Sequence, residues 1–216
     1  MRFLAAFFLI ITMLNCTAQG KKSSFDEFSS KFREVRLPLQ IRDSIEFYNW
    51  NSEDTIAINY VKDYNLIAKY MYNEYPMELQ DYRCTYIGKY KMDNLLVLLY
   101  KTLTTDAGNG NAILVITTFT DKGRKIDEVI ALWDNVWDPL YFEKESLHIP
   151  NGSTFTITSI KEISGLLKNE LVLKRVTERI INYEITKDGT IVKRDDTVRV
   201  LFEDNNPDIL DDFPEY

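Results

Sequence analysis

Two unbroken apolar stretches constrain the fold of this chain more than any other feature. Residues 95–100 are six consecutive apolar side chains, and residues 112–116 are another five. Side chains on a strand point alternately to opposite faces, so a continuous apolar run needs cover on both sides. A sheet with one wet face would show alternation instead. These runs are therefore expected to be central strands, with the N-terminal helices packed on one face or a second sheet there.

The surrounding sequence reads as strands from Arg83 onward. Runs rich in Val, Ile, Thr, Phe and Tyr are separated by turn signals at Met92-Asp93-Asn94, residues 106–111, Asp121-Lys122-Gly123, Pro150-Asn151-Gly152 and Lys187-Asp188-Gly189. This punctuation predicts an antiparallel meander of seven or eight strands between residues 83 and 200. Thr154, Thr156 and Thr158 alternate with Phe155, Ile157 and Ser159, as in a half-exposed strand. In residues 169–185, Val172, Val176 and Ile180 have helical spacing while Ile181, Tyr183 and Ile185 alternate. We read a strand with a bulge or bend there, with a short helix near 170–179 as the alternative.

Ahead of the strands lie two helical signals. Ser24 is placed to cap a helix carrying Phe25, Phe28 and Phe32, with Glu27 completing a capping box and Leu37-Pro38-Leu39 ending the segment. Residues 40–48 are compatible with a short edge strand. Ile56, Tyr60, Tyr64, Ile67 and Met71 then form an apolar stripe flanked by Val61 and Ala68, opposite Lys62, Asp63, Asn65 and Lys69. That pattern predicts an amphipathic helix stopping before Pro76. The fold class expected is α+β: two N-terminal helices packed on a predominantly antiparallel β meander of seven or eight strands.

The N-terminus reads as an address. Arg2 precedes the apolar residues 3–14, in which only Thr12 is polar. The run is shorter than the roughly 20 residues of a membrane-spanning helix and has the layout of an export signal. It has two exits. Cys16 closes the apolar region as in a lipobox, with Asn15 before it where small residues are usual, and would be lipidated. The alternative is cleavage after Ala18. The expected organisation is a signal over 1–18, a tether over 19–24, a single α+β domain over 25–202 and an acidic tail over 203–216. Six of the chain's 33 acidic residues lie in that tail.

Composition removes several functional classes. The formal net charge is −7, whereas a nucleic-acid binder needs a basic surface. One histidine, His148, cannot build a multi-histidine metal centre. Cys84 lies in a strand-like stretch and is expected to be a buried thiol. The glycine pair in residues 106–111 lacks the helix N-terminus of a phosphate cradle and the downstream glutamate of a calcium loop. The most chemically suggestive cluster is Trp133, Asp134, Trp137 and Asp138, because indole faces stack on sugar rings and carboxylates hold their hydroxyls. The competing reading is packing at strand ends, with Asp138-Pro139 as a turn. No cofactor or metal site is expected.

The signal ending Leu14-Asn15-Cys16-Thr17-Ala18-Gln19, the Phe25/Phe28/Phe32 helix running into Leu37-Pro38-Leu39, and the Asp-Lys-Gly and Lys-Asp-Gly hairpins together resemble uncharacterised envelope lipoproteins of Bacteroidota-type bacteria. The resemblance implies an exported protein, either anchored in the outer membrane by lipid or soluble in the periplasm or outside the cell. It carries no assigned functional residue. The functional expectation is a non-enzymatic binding or scaffold protein whose partner is an envelope protein or a glycan. The alternatives are a carbohydrate-binding module using Trp133 and Trp137, and an enzyme of unassigned class.

Overall fold

A computed structural model describes residues 24–41, 55–66, 82–104, 112–134, 141–168 and 170–209. The elements in chain order are α1 (Phe25–Ser30), β1 (Leu39–Ile41), α2 (Ile58–Asp63), β2 (Tyr82–Met92), β3 (Leu95–Thr104), β4 (Ala112–Thr120), β5 (Lys125–Asp134), β6 (Tyr141–Asn151), β7 (Thr154–Leu167), β8 (Glu170–Ile185) and β9 (Ile191–Glu203). The strands form two antiparallel sheets. One has four strands in the order β2-β3-β4-β5, and the other has five in the order β1-β6-β7-β8-β9.

The apolar runs on β3 and β4 are covered on both faces. Leu96, Leu98, Tyr100, Ile113, Val115 and Phe119 point to one side, where Phe28 and Phe32 of the α1 segment and Tyr60, Val61, Tyr64 and Leu66 of the α2 segment close over them. Val97, Leu99, Leu114 and Ile116 point to the other side and meet Leu147, Ile149, Phe155, Ile157 and Ile185 of the five-stranded sheet. The alternatives expected from sequence, helices or a second sheet, both occur, one on each face. The layers run helices, four-stranded sheet, five-stranded sheet. The helical layer is held by aromatic packing: Phe28 stacks on Tyr64 at 4.5 Å and meets Phe32 edge-on at 5.2 Å.

Eight strands follow residue 81, as the turn punctuation predicts, but they form two meanders rather than one. The break falls between β5 and β6. Sequence adjacency predicts pairing within each meander and carries no signal for the switch of sheet. β1 adds a short edge strand, pairing Leu39, Gln40 and Ile41 with Ile149, His148 and Leu147. The alternative helix near 170–179 is replaced by the continuous strand β8. Its expected bulge is present: opposite Ile163 and Ser164 the register steps from Arg175 to Leu173, leaving Lys174 as the extra residue.

Both helices are shorter than their patterns. The Ser24 hydroxyl accepts the Glu27 N–H at 3.1 Å, which is half of the capping box. The Glu27 carboxylate does not return to Ser24. It accepts the Tyr60 hydroxyl at 2.9 Å and so ties α1 to α2. The second helix ends at Asp63 rather than before Pro76. Asn65 adopts φ 49, its N–H bonds the Lys62 carbonyl, and the Leu66 N–H bonds the Val61 carbonyl. This is a Schellman stop, and asparagine tolerates the left-handed conformation it requires. Leu66 is thereby turned into the core. Ile67, Met71 and the rest of that stripe lie outside the described residues, as do residues 42–50.

The β8–β9 hairpin is fastened to the other sheet at its turn. The Thr118 hydroxyl donates to the Gly189 carbonyl at 2.6 Å, and the Ile191 N–H donates to Asp127 Oδ2 at 2.8 Å. Gly189 has φ +92, and a Cβ there would lie 2.5 Å from Ile126 Cδ1. Gly189→Ala is therefore expected to cost about 2 kcal/mol or more, combining left-handed strain with overpacking. Urea denaturation should show a lower midpoint for this variant and little change for Gly152→Ala, where a Cβ meets nothing closer than 3.7 Å.

Candidate functional site

The five-stranded sheet outreaches its partner. β7 and β8 are 14 and 16 residues long, whereas β3 and β4 are 10 and 9. The face of β6 and β8 that packs the core therefore continues past it, and there the side chains turn polar. One cross-strand row reads Glu145, Ser159, Arg179 and Val198; the next reads Glu143, Lys161, Thr177 and Val200. Directly opposite residues on neighbouring strands share a face. This patch brings polar side chains of β6, β7 and β8 onto one face.

Most polar groups in the patch are engaged. Glu145 accepts the backbone N–H of Trp133 across the gap between the sheets. The Ser159 hydroxyl donates to Glu143. Arg179 makes a bidentate pair with Asp196 at 2.8 and 2.7 Å, and Lys193 reaches the same carboxylate at 2.9 Å. The two cations hold the Asp196 carboxyl well below the usual carboxylate range. Burial pushes Glu145 the other way, up to about 7, against the Trp133 N–H; Glu143 adds to the rise and Arg179 opposes it. Glu145 is thus a carboxyl that keeps its proton near neutrality, bridging two sheets. The serine hydroxyl is bonded to a carboxylate, and the arginine is paired bidentately with Asp196.

A second concavity of about 440 Å³ lies between α1 and the β2–β3 hairpin, lined by Asp26, Ser29, Glu34, Lys89, Lys91 and Asp121 among others. Its half-buried cation is already committed: Lys89 Nζ donates to the Ser29 carbonyl at 2.8 Å and sits 3.6 Å from Glu34.

Of the residues singled out from sequence, the structure describes Trp133, Asp134, Cys84 and His148. Trp133 is half-buried on β5 and packs against the helix–sheet core. Asp134 ends β5, paired with Ala112. Trp137, Asp138 and Cys16 lie outside the described residues, as do residues 106–111. Cys84 is a buried thiol beside the Thr102 hydroxyl at 3.6 Å, and burial raises it to about 11. His148 is exposed on the outer face of β6, paired with Gln40, and is separated from Cys84 by the inter-sheet core. Among the described residues, no three His, Cys, Asp or Glu side chains are grouped to hold a metal ion.

Sequence reasoning missed the Glu143/Glu145/Arg179 network. The signal was available. Leu147 and Ile149 face the core, and counting back by twos reaches Glu145 and Glu143. From Ile185, Tyr183 and Ile181 the same count reaches Arg179. No family model matches the chain, and neither a curated protein nor a solved structure shows significant similarity to it.

The Glu145 geometry predicts a pH dependence of stability. Between its unfolded value near 4.5 and its folded value of about 7, the folded protein holds a proton that the unfolded chain has lost. Stability is therefore fully present below the lower value, falls as pH rises through this window, and levels off above it, by about 2–3 kcal/mol in all. Glu145→Gln keeps an acceptor for the Trp133 N–H without the charge. Urea titrations at pH 5 and pH 8 should show the wild type weaker at pH 8 and the variant nearly level.

Proposed function

We propose that this is an exported envelope protein without catalytic activity, tethered through Cys16, that holds an envelope protein on the projecting end of its five-stranded sheet. The observation that carries this reading is the exposed apolar strip on the outer face of that end. Phe142, Val176 and Phe202 lie in one cross-strand row with Glu162 between, and beyond the Lys174 bulge Leu173 and Leu171 continue the same face. Phe142, Phe202, Leu173 and Leu171 are between 41 and 56% exposed. Exposed apolar groups this numerous on one face mark an interaction surface rather than scattered surface hydrophobes.

The Glu143/Glu145 network supports a binding role over a reaction, since its serine hydroxyl, that of Ser159, ties β7 to Glu143 of β6 and its Glu145 carboxyl ties β6 to the Trp133 backbone. Half-burial of the Trp133 ring favours a protein partner over a glycan. The signal-like residues 1–18 and the lipobox-like Cys16 support export and a lipid tether. Among the described residues no helix is long and apolar enough to cross a membrane. Two N-terminal helices covering the inner sheet, a body ending near residue 202 and an acidic tail complete the organisation proposed.

A photoreactive amino acid placed at Leu173 in the cellular protein tests this. A discrete heavier adduct in the membrane fraction is expected, lost when Leu171→Glu is added. Absence of any adduct, or an adduct in the soluble fraction alone, contradicts it.

A further inference from the structure

β9 is the outer edge of the five-stranded sheet, and along it lies a second surface, which meets the apolar strip at Phe202. The strand is 13 residues long, contains neither proline nor glycine, and is exposed at every position from Lys193 to Glu203. An edge of this length turns a row of backbone N–H and C=O groups to solvent, a template for another strand. Edge charges commonly discourage such pairing. Here most of them are already paired: Asp196 to Arg179 and to Lys193, Arg194 to Glu184, Arg199 to Glu178 and Glu203 to Arg175. Asp195 is the exception. It faces outward, accepts the Thr197 hydroxyl at 3.1 Å and makes no ion pair among the described residues.

We propose that a second copy of this chain pairs along β9, antiparallel, about a two-fold axis at Thr197, joining two five-stranded sheets edge to edge. An isologous contact must be self-complementary, and the charge order of β9 selects one register. With the axis at Thr197, Asp195 lies opposite the partner's Arg199, and by symmetry the pair forms twice. The guanidinium of Arg199 bonds Glu178 through Nε and has a side chain 62% exposed, so its terminal nitrogens remain available for a second carboxylate. Val192 meets the partner's Phe202, and Thr197 meets itself. No like charges face each other.

Other centres are worse. An axis at Asp195 or Asp196 sets an acid against itself, and one at Arg194 or Arg199 sets a base against itself. An axis at Val198 leaves Asp195 opposite the partner's Leu201. Registers displaced by half a step oppose side chains from different faces. The charges that protect the edge against other strands thus define one self-pairing, which is how specificity is built from repulsion as well as attraction.

Sedimentation of the purified full chain across a dilution series tests this with two variants. The wild type is expected to be a dimer. Asp195→Arg places a base opposite the partner's Arg199 without touching any ion pair to β8, and Arg199→Asp places two acids together; each alone is expected to sediment as a monomer. An equimolar mixture of the two is expected to dimerise, because one variant's arginine then faces the other's aspartate. A monomeric wild type, a dimer unaffected by Asp195→Arg, or a mixture that stays monomeric each overturns the proposal. None of these bears on crosslinking at Leu173, which lies on β8 away from the edge, so the two proposals fail separately.

Discussion

Burial of both faces of β3 and β4 is the constraint on which the remaining architecture depends. Every residue of β4 from Ala112 to Phe119 is buried, and so is every residue of β3 from Leu95 to Thr102. Left wet on either side, that sheet would expose four or more large apolar side chains, each worth about 1.5–3 kcal/mol on burial. Two covers are needed, and the chain supplies them from opposite ends. The N-terminal aromatic residues close one face, and the C-terminal meander closes the other. Within this layer the Thr117 hydroxyl donates to the Tyr100 hydroxyl at 3.2 Å.

The five-stranded sheet obeys a different rule because its partner is shorter. Where β3 and β4 lie beneath it, its inner face is apolar. Where they end, the same face becomes Glu145, Glu143 and Arg179. This mismatch in length generates each feature with functional content: the proton-holding carboxyl at the boundary, the exposed apolar strip on the far face, and the long edge of β9. A sheet trimmed to match its partner would have none of them.

Much of this was legible in the sequence, and the illegible parts share a cause. The double cover followed from residues 95–100 and 112–116 alone, because two-residue periodicity makes an unbroken apolar run informative. The hairpins at Gly123 and Gly189, the β8 bulge and buried Cys84 followed from local chemistry. The switch of sheet between β5 and β6 did not, since it is set by which faces meet and not by any residue in the connection. The early stop of α2 was hidden because Asn65 sits on the polar face of the stripe, where an asparagine looks ordinary, while its positive φ is what ends the helix. The Glu143/Glu145/Arg179 network was missed because attention to motifs favoured the tryptophan-aspartate cluster over the parity of an undistinguished strand.

Native-state hydrogen exchange on the full chain tests the central claim most directly. If double cover of the four-stranded sheet underlies the fold, amides of residues 95–100 and 112–119 should exchange only through global unfolding, with a free energy equal to that from urea denaturation. Exchange of those segments at a clearly lower free energy, while β6 and β7 remain protected, would contradict it.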